Sequence, residues 1–168
     1  MATFGKGVEY ALHCLLYLDG EPGKTLVVSD IAKFQGVSET YLAKIFTKLK
    51  KAGIVRSSIG AKGGYELAKS SKDITFWDVV EAVEGELNLF ECRNVRMGNV
   101  LYKNAQQKPK WLSSGPCEIH KVMLDVEEQI KTSLKVKTLA WLSAAVTQKI
   151  PKKELTKAAL WFRGENRE

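Results

Sequence analysis

Residues 29–67 read SDIAKFQGVSETYLAKIFTKLKKAGIVRSSIGAKGGYEL and predict two helices and a hairpin. Ser29 suits the N-cap of a short helix over 30–34, and residues 36–38 suit a tight turn. Ser38 is then expected to cap a second helix over 39–52, whose apolar residues at i, i+3, i+4 and i+7 are Leu42, Ile45, Phe46 and Leu49. A strand over 54–59, a glycine-rich turn and a return strand over 65–67 complete the stretch. This order is typical of a winged helix-turn-helix.

The charge of this stretch indicates a polyanionic partner. Residues 40–65 contain six basic side chains and no acidic one, in a chain of net charge +7 and pI near 9.3. Cationic residues on ordered elements suit double-stranded DNA, with the second helix in the major groove. The residues predicted to contact DNA are Ser38, Thr40, Tyr41, Lys44, Lys48, Arg56, Lys62 and Gly63. The alternative is that Lys48, Lys50 and Lys51 only keep an exposed helix solvated.

The remaining sequence predicts a mainly α protein with a small β-hairpin. Helices are expected over 4–18 and over 76–84, the latter with a Thr75–Asp78 capping box and the buried residues Phe76, Val79, Val80 and Val83. Residues 85–115 lack regularity. A helix from Pro116 to about Leu134 carries an apolar stripe that one small domain can hardly cover, so a second copy is expected to pack there. A shorter helix is expected over 139–148.

We therefore predict four segments. They are a DNA-binding domain (1–84), a sensor loop (85–116), long dimerisation helices (117–150) and a basic tail (151–168) with one further helical turn. The length of 168 residues suits this plan.

Composition limits the compartment and the chemistry. The start lacks a secretory signal and no apolar run is long enough to span a membrane, so we expect a cytoplasmic protein. The three cysteines are then reduced thiols or ligands, and Cys14 is expected to be a small buried residue. An enzyme is not expected, because there is no Ser-His-Asp set, no phosphate loop and only two histidines.

Several motifs resemble the Rrf-type bacterial regulators, the family that includes IscR, NsrR and CymR. They are GVEYAL (7–12), VSETYLAK (37–44), LKKAGIV (49–55) and GGYELA (63–68). The resemblance covers roughly residues 1–150. It implies a homodimeric transcriptional regulator, expected to be a repressor, that binds a pseudo-palindromic operator through a winged helix-turn-helix.

Many members of this family hold an iron–sulfur cluster with three closely spaced cysteines. This chain has only Cys92 and Cys117 in the corresponding loop, which carries an insertion over 101–110. The resemblance to a two-cysteine redox-sensing variant implies a 2Fe–2S cluster bound by these cysteines and by Glu9 of the partner subunit. The fourth ligand is left open between Gln35, His120, His13 and an exogenous group.

Other interpretations of the sequence stay open. The two loop cysteines are alternatively spare thiols or a thiol–disulfide switch. A regulator of the same fold can instead respond to a small molecule or a partner protein. A third possibility is a winged-helix module whose basic face binds an acidic protein.

Overall fold

A computed structural model describes residues 4–20, 25–60, 63–90, 92–104, 106–107 and 109–165; the side chains of 92–94 and 113 are also outside the description. The chain forms two compact units. One unit comprises the chain up to Gly85 together with the chain from Leu134 onward, and the other comprises Glu86–Ser133. The predicted division at residues 84, 116 and 150 stays a prediction.

The predicted helix-turn-helix is present. Helix α1 spans Lys6–Asp19, α2 spans Val28–Gln35 and α3 spans Glu39–Lys51. Gly36 ends α2 with a φ of 67°, a left-handed conformation that glycine adopts without steric cost. Leu42, Ile45, Phe46 and Leu49 are all buried, as their spacing predicted.

Of the two predicted caps, that of α2 is wrong and that of α3 is right in position only. Helix α2 begins before Ser29, because the carbonyl of Val27 accepts hydrogen bonds from the amides of Asp30 and Ile31. Ser29 therefore lies within the first turn. Ser38 does occupy the N-cap position of α3, but its side chain makes no capping hydrogen bond.

The wing is a two-stranded antiparallel hairpin of β1 (Val55–Ser58) and β2 (Gly64–Leu67). Its second strand, β2, is joined to the segment before α2, where Leu26 and Tyr65 exchange two backbone hydrogen bonds of 2.9 and 2.8 Å. Gly64 allows this approach, since a Cβ there would lie 2.7 Å from the carbonyl oxygen of Leu26. The hairpin is thus fixed to the helix-turn-helix.

Helix α4 (Phe76–Glu84) begins with the predicted capping box. The Thr75 amide donates to Asp78 over 2.8 Å and the Asp78 amide donates to the Thr75 hydroxyl over 3.1 Å. The predicted buried face is partly wrong: Trp77 is buried, whereas Phe76 is half-buried and contacts the edge of Trp141. Phe76 is the first residue of α4, and its amide pairs with the carbonyl of Lys137.

Two C-terminal helices complete this unit, namely α8 (Leu139–Lys149) and α9 (Lys152–Phe162). The helical turn predicted within the basic tail is too short, because α9 has eleven residues and is held by aromatic packing. Phe162 lies 4.8 Å from Phe34 and 5.3 Å from Tyr17 between ring centroids, and Trp161 lies 5.0 Å from Phe34.

The second unit contains α5 (Cys92–Met97), α6 (Lys110–Ser113) and most of α7 (Glu118–Lys135). The loop predicted to be irregular therefore includes two short helices, and the long helix begins two residues after Pro116. Ile119 and Val122 on α7 are 67% and 63% exposed. None of the helices in the described part of the chain is both long and apolar enough to cross a membrane.

Candidate nucleic-acid interface and sensor loop

Helix α3 presents a polar face opposite its buried one. Tyr41, Lys44 and Lys48 are spaced three and four residues apart, so they share one side of the helix. All three side chains are exposed, and that of Tyr41 is 40% exposed. The rings of Tyr41 and of Tyr10 on α1 pack edge to face, with their centroids 6.0 Å apart. Ser38 and Thr40 are exposed at the amino end of the same helix. These side chains suit phosphate and base-edge contacts in a major groove.

The two lysines of this face have different surroundings. The Lys48 ammonium donates to the carbonyl oxygen of Val83 at the end of α4, over 2.5 Å. Lys44 makes no hydrogen bond or ion pair within the described residues. Lys44 and Lys48 line a cleft of about 260 Å³ together with Lys6 and Glu84. Sequence reasoning missed Lys6, because it precedes α3 by more than thirty residues and lies on another helix.

In the wing, Arg56 forms an ion pair and Gly63 makes a close backbone contact. Arg56 is 65% exposed and its Nε lies 2.9 Å from a carboxylate oxygen of Glu66, across the hairpin. A Cβ on Gly63 would lie 2.7 Å from the carbonyl oxygen of Ser58, so Gly63 closes the turn. Lys62 lies outside the described residues. The assignment of individual DNA contacts stays a prediction.

The residues predicted to hold a cluster are divided between the two units. Cys117 is half-buried immediately before α7, and its carbonyl accepts the amide of Lys121. His120 is half-buried one turn further on. Cys92 is the first residue of α5, with its side chain outside the description. Glu9 is in the other unit, on α1. In the ranges that the structure describes, no three His, Cys, Asp or Glu residues are grouped so that they could hold a metal ion.

The candidate fourth ligands differ in availability. His13 is exposed on α1 one turn after Glu9, which is also exposed. The side-chain oxygen of Gln35 accepts a hydrogen bond of 2.7 Å from the Tyr17 hydroxyl. Burial, with a smaller contribution from the nearby Cys14, raises the pKa of Tyr17 to about 12, so this hydroxyl keeps its proton at neutral pH. Gln35 is therefore engaged within its own unit.

Cys14 is buried, as expected. Burial raises the pKa of its thiol to about 12, because the apolar surroundings disfavour a thiolate. A protonated thiol enclosed by the core does not serve as a ligand. Cys92 and Cys117 are thus the two cysteines to consider for sensing.

Arg96 is a residue of the loop that sequence reasoning did not single out. Its Nη2 donates over 2.7 Å to the carbonyl oxygen of Gly115, and its Nε is buried. The available signal was its position one helical turn after Cys92. Its hydrogen bond connects α5, which begins with Cys92, to the residues just before Cys117.

The fold and the cationic face of α3 together define a winged helix-turn-helix DNA-binding protein. A family model described as "Rrf2: Iron-dependent Transcriptional regulator" matches residues 4–145. The regulator IscR of Cereibacter sphaeroides is 30% identical over 115 residues, which are 68% of this chain and 74% of that protein. The chain belongs to the Rrf2 family of transcriptional regulators, as its motifs indicated.

Solved structures agree with this assignment. IscR of T. potens superposes with a TM-score of 0.63 at 26% identity, covering 89% of this chain and 93% of that one. CymR, the global cysteine regulator of B. subtilis, has a TM-score of 0.61 at 23% identity, covering 86% and 98%, and shares the fold. These relatives are transcriptional regulators and not enzymes, which confirms that expectation.

Proposed function

We propose that this regulator is a homodimeric repressor that binds a pseudo-palindromic operator and senses redox or iron–sulfur status. The observation that carries the DNA-binding part is the exposed face of Tyr41, Lys44 and Lys48 beside the wing. The cluster would be a 2Fe–2S centre bound by Cys92 and Cys117 with Glu9 of the partner subunit. A bacterial regulator that binds DNA acts in the cytoplasm.

The dimer is supported by the surface of α7. This helix of 18 residues is about 27 Å long and contains no buried residue, although its sequence has an apolar stripe. Ile119 and Val122 expose most of their surface. The same stripe of a second copy can bury an apolar stripe of this length in a symmetric dimer interface.

The donor set is chemically suited to an iron–sulfur cluster. Cysteine thiolates are its usual ligands, and imidazole replaces them in some 2Fe–2S centres. When bound, such a cluster supplies a charge that changes by one electron. We propose His13 as the fourth ligand, because His13 and Glu9 are exposed one turn apart and can approach one site together. Gln35 is disfavoured by its hydrogen bond to Tyr17, whereas His120 remains the alternative on the Cys117 side.

A short path joins the proposed ligands on α1 to the recognition helix. Tyr10 directly follows Glu9, and its ring packs edge-on against Tyr41 of α3. Lys6, one turn earlier on α1, lines the same cleft as Lys44. A displacement of α1 by its ligand state therefore acts on the side chains that face DNA, which is a local event with a global readout.

A second candidate is a regulator of this family in which Cys92 and Cys117 form a disulfide under oxidising conditions. It is supported by the position of both cysteines in the same compact unit of the chain. It needs neither Glu9 nor His13. Control by a small molecule or a partner protein would need neither cysteine.

Anaerobic purification followed by an absorption spectrum and by iron and sulfide analysis tests the cluster. We expect a coloured protein with iron and sulfide, and we expect Cys92→Ala and Cys117→Ala to lose both. Cys14→Ala is the matched control and should retain them. A colourless, iron-free preparation would exclude the cluster, and loss of the oxidant response of DNA binding in the cysteine variants would then identify the disulfide.

A further inference from the structure

One arginine connects the two cysteine-bearing segments of the sensor loop. Arg96 is on α5, one turn after Cys92, and its Nη2 donates over 2.7 Å to the carbonyl oxygen of Gly115. Gly115 precedes Cys117 by only two residues. A single guanidinium group therefore links α5, which begins with Cys92, to the backbone two residues before Cys117.

One donor of this guanidinium group, the Nε, is not satisfied. The Nε of Arg96 is buried and finds no hydrogen-bond acceptor among the described residues. A buried donor without an acceptor costs free energy, and the cost is larger when the donor is charged. An arginine always carries its charge and has no acceptor atoms of its own. An acceptor of negative charge at this position would remove the cost.

We propose that Arg96 is the positioning residue of the two-cysteine site. One edge of its guanidinium holds the Gly115 carbonyl and so fixes the distance between Cys92 and Cys117. Its Nε is the donor for an anionic acceptor held between the two cysteines, which is a thiolate or a cluster sulfide. The acceptor part rests on the function proposed above, whereas the positioning part applies to the metal-free protein as well.

Cross-linking in the metal-free, reduced protein tests the positioning part. In a Cys14→Ala background only Cys92 and Cys117 remain to react with a short bis-maleimide, and intact mass distinguishes the closed product from two single additions. We expect Arg96→Met to lower the rate of ring closure roughly tenfold, the factor that corresponds to one hydrogen bond to a charged group. Lys103→Met is the matched control, because it removes an exposed charge from the same unit, and its rate should not change.

Arg96→Lys separates positioning from folding. It keeps the charge but cannot serve both acceptors as the planar fork does, so its closure rate should lie between those of the wild type and Arg96→Met. Thermal unfolding and DNA affinity show whether each variant is folded, and the Lys variant decides the question if the Met variant is not. Equal closure rates in the wild type and a folded Arg96 variant would overturn the proposal.

Loss of iron to a chelator under anaerobic conditions tests the acceptor part. Removing a group that supports metal ligands commonly lowers affinity by about 10- to 100-fold, and we expect faster iron loss of that order in Arg96→Met. If the wild type binds no iron, the proposed cluster fails, yet the cross-linking result still decides the role of Arg96. If iron loss is unchanged in Arg96→Met, the Nε does not support the cluster.

Discussion

Lys44 and Lys48 lie one turn apart on α3, yet their ammonium groups make different contacts. Lys48 donates to the carbonyl of Val83 and so closes the end of α4. Lys44 makes no such hydrogen bond within the described residues, so its charge is available to a phosphate. Replacing each lysine therefore separates DNA binding from stability.

We expect Lys44→Ala to weaken DNA binding to all sequences and to lower the slope of log affinity against log salt by about one for each phosphate that the variant no longer neutralises. Fluorescence anisotropy from 50 to 200 mM salt measures this slope. Its free energy of unfolding should stay within about 0.5 kcal/mol of the wild type. Lys48→Ala should lose affinity and also about 1 kcal/mol of stability, because the Val83 carbonyl loses its donor.

Lys103→Ala is the control for charge alone, since Lys103 is exposed in the other unit. An unchanged salt slope in Lys44→Ala would show that α3 does not contact phosphates through this residue. The basic face would then suit an acidic protein better than DNA.

Cys14 makes stability depend on pH in the alkaline range. Its pKa rises from 9.0 in the unfolded chain to about 12 in the fold, so the folded state keeps a proton that the unfolded chain releases. The stability contributed by this thiol is complete below pH 9 and falls as pH rises toward 12. In Cys14→Ala, the free energy of unfolding should fall less steeply with pH, by up to about 1.4 kcal/mol per pH unit. Denaturant unfolding between pH 8 and 11 measures this difference, and parallel curves would contradict it.

At the scale of elements, α9 shows a helix that depends on distant partners. Phe162→Ala removes a ring that packs on Phe34, Tyr17 and Trp161. We expect a loss of about 2 kcal/mol and a fall in melting temperature of roughly 4–8 °C. Lys157→Ala on the same helix loses only an exposed pair with Glu154 and should cost less than about 0.5 kcal/mol. Similar melting temperatures for the two variants would show that α9 is not held by this cluster.

Elements with local signals were predictable from the sequence, and elements with distant partners were not. The stripe of α3 and the Thr75–Asp78 box each lie within a few residues, so spacing sufficed to predict them. The aromatic residues of α9 pack on Phe34 and Tyr17, more than 120 residues earlier, and this contact has no signal in the local sequence. The start of α2 was misplaced because the backbone of Val27, and not a side chain, accepts the first amide hydrogen bonds.

The candidate site divides in the same way. Tyr41, Lys44 and Lys48 could be assigned to one face because helical spacing fixes their direction. Lys6 and Arg96 could not, because their contacts cross between elements: Lys6 lines a cleft with α3, and Arg96 reaches Gly115. The complete ligand set of a cluster cannot be predicted from residue spacing within one chain, because one of the ligands is proposed to come from a second copy.

At the scale of the whole molecule, the proposed dimer uses α7 to bring two DNA-binding units together. Val122→Glu places a charge on the exposed apolar stripe. We expect the variant to elute as a species of 18.7 kDa in size exclusion with light scattering, whereas the wild type elutes as a dimer. Operator affinity should fall because one copy reaches only one half-site.

Thr132→Glu is the matched control for this substitution. Thr132 is exposed on α7 but is not part of the apolar stripe, so the same charge should leave the dimer intact. If Val122→Glu remains dimeric, the copies associate through another surface.

The junction of Leu26 with Tyr65 has a consequence for the DNA itself. Strand β2 of the hairpin is joined to the segment before α2 by paired hydrogen bonds, and the close approach at Gly64 leaves no room for a side chain. The hairpin therefore cannot change its angle to α3 without breaking that junction. A duplex whose groove width does not match this angle must itself deform. Base pairs that no side chain touches then influence affinity through the ease with which they bend.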